Sequence, residues 1–468
     1  MLKKIVGAKF AEFESSCRKN DDNPYIFLRR ARLIPISKFG DELSLASVFL
    51  SALRLVKEFR ENFLKEIGMS SGGRIYVYTE VSFPKSSSEH RIDGLILIVK
   101  GDEIRDAALL EMKKGSNILE QAQVEAYINI ATEWGIDKLI TVSNEFVLNA
   151  KQTPLKFKIP KAFNLYHFSW TDILTIAQIL LFKNKDGNRI ADSDQIEILN
   201  EVVAYFDSDG SGVCGFNRMK DGWKALGEAI AKESVLEDND IEEAISSWHQ
   251  EEKDMALMLS RKLGALVRLE NSKGGRTFAD TVSESIKKFK EVKQFSSTLS
   301  IKDAASDISI VAYADQKKVK MFVSLLAPQD KKTKGQISWL KKDQIEKCKE
   351  KIPKEESTIL KKALFEELFR NLVIAVCVKH SRAATNIPWQ SLEDKIDELK
   401  DKDITQFDIA WSRDFGRDFY APQKFIEEIE KMLLHFYAAI AQNIKSYKPP
   451  APQIKIAEED IGVENTTE

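Results

Sequence analysis

The sequence predicts a mixed α/β domain in its N-terminal part, a sheet flanked by helices, followed by a mainly helical and α+β region. Three observations carry that expectation. Apolar residues recur at three- and four-residue intervals through Asp41–Gly68; three strand-like runs follow between Arg74 and Lys113; a second helical pattern then leads into another buried run. The order helix, three strands, helix, strand suits a sheet covered by helices.

In the first segment, Leu45, Phe49, Leu53, Val56, Phe59, Phe63 and Ile67 line one helical face, and Gly68 marks its stop. The runs Arg74–Phe83, Arg91–Lys100 and Asp106–Lys113 read as strands. Gly115-Ser116-Asn117 opens a helix over Ile118–Trp134, and strands are expected at Lys138–Val142 and Phe163–Phe168, then a helix at Thr171–Phe182. The polar stretch Lys183–Ala191 contains Asp-Gly-Asn and sets a boundary, giving a first domain over 1–190. A helical connector over 191–294 includes a long helix at Asp240–Leu263. An α+β domain over 295–446 has strands within Phe295–Leu326 and helices at Ile337–Ile352, Ile359–Val378 and Gln423–Tyr447. The tail, 447–468, turns from Lys-Pro-Pro-Ala-Pro to acidic residues and is expected to be disordered.

Several classes fall away on composition. Cys17, Cys214, Cys348 and Cys377 have no CxxC spacing, so neither a zinc knuckle nor a disulfide framework is expected, and a cytoplasmic location follows. The first residues lack the apolar run of a signal peptide, and the longest apolar stretch, Ile173–Phe182, is about half a membrane span. No Gly-x-x-x-x-Gly-Lys-Ser/Thr loop occurs, so the chain alone is not expected to hydrolyse ATP. The net charge of −2 means that any contact with phosphates must rely on local concentrations of positive charge.

Chemistry concentrates in Arg91-Ile92-Asp93-Gly94 followed by Leu110-Glu111-Met112-Lys113. Residues two apart in a strand share a face, so Glu111 and Lys113 project together, away from Leu110 and Met112. Asp93 starts the neighbouring apolar strand, and a hairpin turn near Gly101-Asp102-Glu103 brings the two carboxylates within reach of one cation. Hard cations such as magnesium take carboxylate oxygens, and a lysine beside them suits a reacting phosphate. The alternative is an ion-pair cluster at the rim of a sheet.

This constellation resembles the PD-(D/E)xK nuclease superfamily, in the restriction-endonuclease-like and RecB-like branches, over roughly Asp41–Phe182. Arg91-Ile92-Asp93 stands where the family has Pro-Asp, with isoleucine in place of proline, and Glu111-Met112-Lys113 corresponds to (D/E)xK. Gln123 and Tyr127 match the QxxxY element, four apart on one helical face. The resemblance implies a restriction-endonuclease-like fold. It also implies a Mg2+-dependent deoxyribonuclease in which Mn2+ can substitute, with Asp93, Glu111 and Lys113 catalytic and Asp93 and Glu111 on the metal. Duplex DNA as substrate, a role in antiviral defence or restriction, protein partners and homo-oligomerisation are further expectations from the same analogy.

Two more acids are candidates. Glu80 shares a strand face with Tyr76 and Tyr78 and is expected as a further metal ligand or, alternatively, a solvated strand residue. Glu42 falls on the buried face of the first helix, where it either points into the site or answers the helix dipole. Asp207–Gly212 resembles the front of a calcium loop, but Arg218 stands where the bidentate glutamate belongs, which favours a plain turn. His90 adjoins the Asp93 strand in a loop. From Lys317 to Lys362 fourteen lysines face six acids, and Lys317, Lys318, Lys331, Lys332 and Lys334 are expected either to bind nucleic-acid phosphates or to form a solvated face. The competing functional reading is a non-catalytic nuclease-fold scaffold that docks in a larger complex.

Overall fold

In the structure, a computed structural model, residues 4–17, 26–30, 41–84, 91–184, 190, 192–270, 277–352, 357, 359–381 and 383–448 are described. His90, most of the expected boundary at Lys183–Ala191 and the tail after Lys448 lie outside them.

The chain forms a mixed α/β structure with two compact units, Met1–Asp303 with Asp307–Met321 and Ser412–His435, and Ala304–Ser306 with Phe322–Trp411 and Phe436–Glu468. The first unit therefore extends well past residue 190. It begins with α1 (Phe10–Ser16), β1 (Phe27–Arg30), α2 (Glu42–Leu55), α3 (Lys57–Glu66), β2 (Arg74–Ser82), β3 (Ile92–Lys100) and β4 (Glu103–Met112). Then come α4 (Gln121–Glu133), β5 (Lys138–Ser143), β6 (Asn164–Ser169), α5 (Trp170–Asn184) and α6 (Ser193–Phe206).

β1 to β6 form one six-stranded sheet in sequence order. The first four strands pair antiparallel, whereas β4–β5 and β5–β6 are parallel, so the sheet is mixed. Alternation along β3 and β4 builds two cores. Ile96, Ile98, Ala108 and Leu110 pack with α2, α3, α5 and α6, while Leu95, Leu97, Ala107 and Leu109 pack with α1 and α4. Gly94 has a steric role: a Cβ there would stand 3.0 Å from Leu50 Cδ1 and 3.2 Å from Leu110 Cβ. Its missing side chain lets α2 close over β3.

The single helix expected at Asp41–Gly68 is two. Val56 takes an extended conformation, φ −106° and ψ 107°, which suits its β-branch and ends α2. The orphaned carbonyls of Leu53 and Arg54 accept from the Arg60 guanidinium at 3.2 Å each, and the Lys57 amide donates to Gln195 Oε1 at 2.7 Å. The break therefore leaves these backbone groups satisfied. Gly68 stops α3 with φ +64°, as its place after the apolar pattern predicts.

The first unit continues with α7 (Asp221–Ala231), α8 (Asp238–Leu263), β7 (Val267–Leu269), α9 (Phe278–Val292), β8 (Gln294–Ile301) and β9 (Ile308–Tyr313). β7, β8 and β9 pair antiparallel. A buried polar network ties α8 to α9 and β8. His249 Nδ1 meets Glu252 Oε1 at 2.5 Å, His249 Nε2 meets Ser285 Oγ at 2.9 Å, and Ser297 donates to Glu252 Oε2.

β10 (Lys318–Leu326) leads to α10 (Thr333–Ser338), a π-helical stretch at Trp339–Glu346, α11 (Lys347–Glu350) and α12 (Lys362–Arg370). β11 (Leu372–Val378), β12 (Thr385–Pro388), α13 (Ile396–Leu399), β13 (Ile404–Asp414) and α14 (Pro422–Phe436) complete the elements, and β11 pairs antiparallel with both β12 and β13. The helix expected over Ile359–Val378 stops at Arg370, because Leu-Val-Ile-Ala-Val-Cys-Val is a β-branched run that forms a strand. Among the described residues no helix is long and apolar enough to cross a membrane.

Candidate active site

Asp93 and Glu111 meet where β3 and β4 lie side by side. The register pairs Gly94 with Leu110, which places Asp93 opposite Glu111 one step further. Both strands are apolar on either side of these positions, so the carboxylates are held where water is scarce. Glu111 is 1% exposed, and its Oε1 lies 2.7 Å from Lys113 Nζ, whose side chain is 16% exposed. The Met112 amide donates to Asp93 Oδ2 at 2.6 Å. The structure thus brings Asp93, Glu111 and Lys113 together.

Burial, then the charge of Glu111, raises the Asp93 carboxyl well above the usual range, only partly opposed by the Met112 amide and Lys113. Burial likewise raises Glu111 despite its hydrogen bond to Lys113. Burial pulls Lys113 down, but Glu111 outweighs it and leaves the ammonium stabilised. One lysine therefore does not offset the burial and mutual repulsion of the two carboxyls, and their full ionisation is disfavoured.

The Lys113 backbone is clamped on both sides. Its amide donates to Val142 O at 2.8 Å, and the indole of buried Trp170 donates to its carbonyl at 2.8 Å. The following turn is fixed by Gly212, whose carbonyl accepts from the Gly115 amide at 3.2 Å. Asn144 Nδ2 bridges the Gly115 and Gly212 carbonyls at 3.0 and 2.8 Å. The stretch with calcium-loop character is thus a turn, with Gly212 at φ +78°, that buttresses the site from behind. Trp170 and Asn144 carried no signal in the sequence, and the turn at Gly212 was legible there without its link to the site. They act through contacts made across the fold.

Glu42 also reaches this place. Its Oε1 accepts from Asn117 Nδ2 at 2.8 Å and from the Lys114 amide at 3.5 Å, and its charge bears on Asp93, Glu111 and Lys113. Glu80 is engaged elsewhere: with φ +51° near the end of β2, it pairs with Arg91 at 2.8 Å. Gln123 donates to the Tyr127 hydroxyl at 2.9 Å, and that hydroxyl donates to Arg91 O at 3.3 Å. Tyr127 is 1% exposed. In this position the pair braces the start of β3, two residues before Asp93, against α4.

The lysine set is not carried by one compact unit. Lys317 and Lys318 belong to the first, whereas Lys331, Lys332 and Lys334 belong to the second, where all three are exposed.

No family model, curated protein or solved structure matches this chain. Among the described residues no group of three or more His, Cys, Asp or Glu side chains is arranged to hold a metal ion. The donors present are two carboxyls with raised pKa, whose ionised forms a divalent cation would stabilise. That set fits magnesium, which binds through one or two carboxylates and retains waters or substrate oxygens.

Proposed function

We propose that the chain is a divalent-metal-dependent nuclease of the PD-(D/E)xK type, with a restriction-endonuclease-like N-terminal fold and DNA as substrate. One observation carries the reading: Asp93, Glu111 and Lys113 converge at the end of one strand pair, with both carboxyls desolvated. Asp93 and Glu111 would hold Mg2+ or Mn2+, with Glu42 beside them. When bound, that ion supplies charge neutralisation at the phosphate and an acidified water. Lys113 directs its ammonium at a non-bridging phosphate oxygen and steadies the negative charge that develops there. Trp170 and Val142 fix the Lys113 backbone, and Gln123 and Tyr127 fix the strand of Asp93. A defence or restriction role is the biological setting we attach to this activity.

The test is incubation of the full chain with circular and linear duplex DNA, single strands and RNA, with magnesium or manganese. Metal-dependent cleavage of DNA supports the reading, and RNA-only cleavage corrects the substrate. Replacement of Lys113 by alanine is expected to slow cleavage by about 10²–10³ while leaving calorimetric Mn2+ affinity within a few-fold. Near-normal turnover would move the cationic role to another side chain.

A second reading draws on the 2.7 Å Glu111–Lys113 pair and the lack of a three-ligand group among the described residues. On it, the cluster is a structural ion pair and the chain a docking scaffold. Mg2+ or Mn2+ titration with thermal unfolding separates the two, since a ligand that binds the native state raises Tm.

The lysines add a separable expectation. If Lys331, Lys332 and Lys334 contact duplex phosphates, changing all three to glutamine should flatten the slope of log affinity against log salt by up to about 2.7. An unchanged slope identifies them as a solvated face.

A further inference from the structure

Away from the carboxylate site, the first unit carries a partly open cavity of about 310 Å³. Its walls come from α3, the 147–150 segment, β6, α5, α8 and β7. They are largely apolar, with Phe168, Ile176, Leu180, Leu257 and Val267 among them. The volume lies at the lower end of the range of small-molecule sites. It joins the sheet-bearing part of the unit to the long helix α8.

The polar groups in these walls are not equivalent. His167 is spoken for, with Nδ1 against Thr141 Oγ1 at 3.0 Å and Nε2 against Glu145 O at 2.8 Å. Asp172 is also well supplied: Oδ2 accepts from both the amide and hydroxyl of Ser169, and Oδ1 meets Lys253 Nζ at 2.8 Å. An ammonium carries three hydrogens, and this ion pair engages one of them. Lys253, with its side chain 17% exposed, is therefore a cation with donor capacity to spare in a mostly apolar chamber. Arg268 and Glu66, both exposed, add one charge of each sign at the rim, so Lys253 is the cation set deepest in the lining.

We propose that this cavity is a binding site for a small monoanionic amphiphile, its apolar body against α5 and α8 and its carboxylate on Lys253. Desolvation favours the apolar body, and a charge-assisted hydrogen bond in low dielectric selects the head group. The site is independent of any nuclease activity.

The experiment uses three probes with one body, 4-phenylbutyrate, 4-phenylbutanol and 4-phenylbutylamine, titrated against the full chain by thermal unfolding and calorimetry. The expected result is saturable binding of the acid, about tenfold weaker binding of the alcohol and weaker still of the amine. In the double variant Asp172→Asn/Lys253→Met, which removes both charges together, the acid should lose its advantage over the alcohol while the alcohol still binds. Leu257→Phe, which fills the chamber, should reduce binding of all three. Absence of saturable binding by the acid overturns the proposal, as does an acid-over-alcohol preference that survives the double variant. If the double variant does not fold, undiminished acid binding in Leu257→Phe overturns it as well.

Discussion

Asp93→Asn is expected to abolish metal-dependent cleavage and, at neutral pH, to raise the melting temperature of the chain. Both effects have one cause. In the native protein the Asp93 carboxyl is desolvated and faces Glu111, so its charged form is disfavoured and its pKa is raised. A carboxyl whose folded pKa exceeds its unfolded value costs stability once pH rises through the folded value. Asparagine removes that charge but keeps an oxygen to accept the Met112 amide, so the strand geometry survives. A hard cation loses an anionic donor, and the loss of cleavage should be at least about 10³, larger than for Lys113. Glu111→Gln should behave alike. Cleavage assays and calorimetric unfolding on the same preparations check this. Retained cleavage with magnesium removes Asp93 from the site, and a lower melting temperature contradicts the strain argument. A protein that becomes more stable as it loses function is what a site built for charge requires.

The parts of this site that could be read from sequence are those governed by short-range periodicity. Glu111 and Lys113 share a strand face because of period two, and Asp93 joins them through a hairpin whose turn was visible at Gly101. The supports were not legible. Trp170 reaches the Lys113 carbonyl across 57 positions and Asn144 reaches Gly212 across 68, and neither distance leaves a local pattern. Gln123 and Tyr127 were legible as a pair, but that Tyr127 is buried against Arg91 depends on how α4 packs on β3. Val56 misled because an apolar residue in helical register says nothing about a chain break capped by Arg60 and Gln195. Leu372–Val378 misled because a short apolar run fits a buried helix as well as a strand.

The second large effect concerns carboxyls that no sequence pattern marked. On α8, Glu251 is 0% exposed, and neither of its carboxylate oxygens has a hydrogen-bond partner among the described residues. Asp254, one turn on, accepts the Phe216 amide at 2.6 Å through Oδ2, while its buried Oδ1 has no such partner among those residues. Glu430 on α14 and Asp254 both act on Glu251, and Asp254 also acts on Glu430. Arg261 opposes the charges on Asp254 and Glu430, Lys253 that on Asp254, while Asp172 and Glu427 add to the repulsion. Burial first, and neighbouring carboxylates second, raise Glu251 well above its ordinary value and Glu430 to about 7; burial raises Asp254 to about 6. All three pKa values are raised, so the native state holds these protons more tightly than the unfolded chain. Their stabilisation is complete below the unfolded carboxylate range near pH 4 and is lost as pH rises through about 6 to 7 and beyond. A tenfold difference in proton affinity between the folded and unfolded states is worth about 1.4 kcal/mol, so the raised pKa values should make stability fall between about pH 5 and 8. Glu251→Gln removes one of these charges without changing the shape of the side chain. It should raise the melting temperature at pH 8, leave it nearly unchanged at pH 5 and flatten the decline between them. Denaturant unfolding at both pH values, with wild type and Glu251→Gln side by side, reads this directly. A wild-type stability that is flat or rising over that interval, or a glutamine variant less stable at pH 8, would show that the three carboxyls are ionised and accommodated in the native fold.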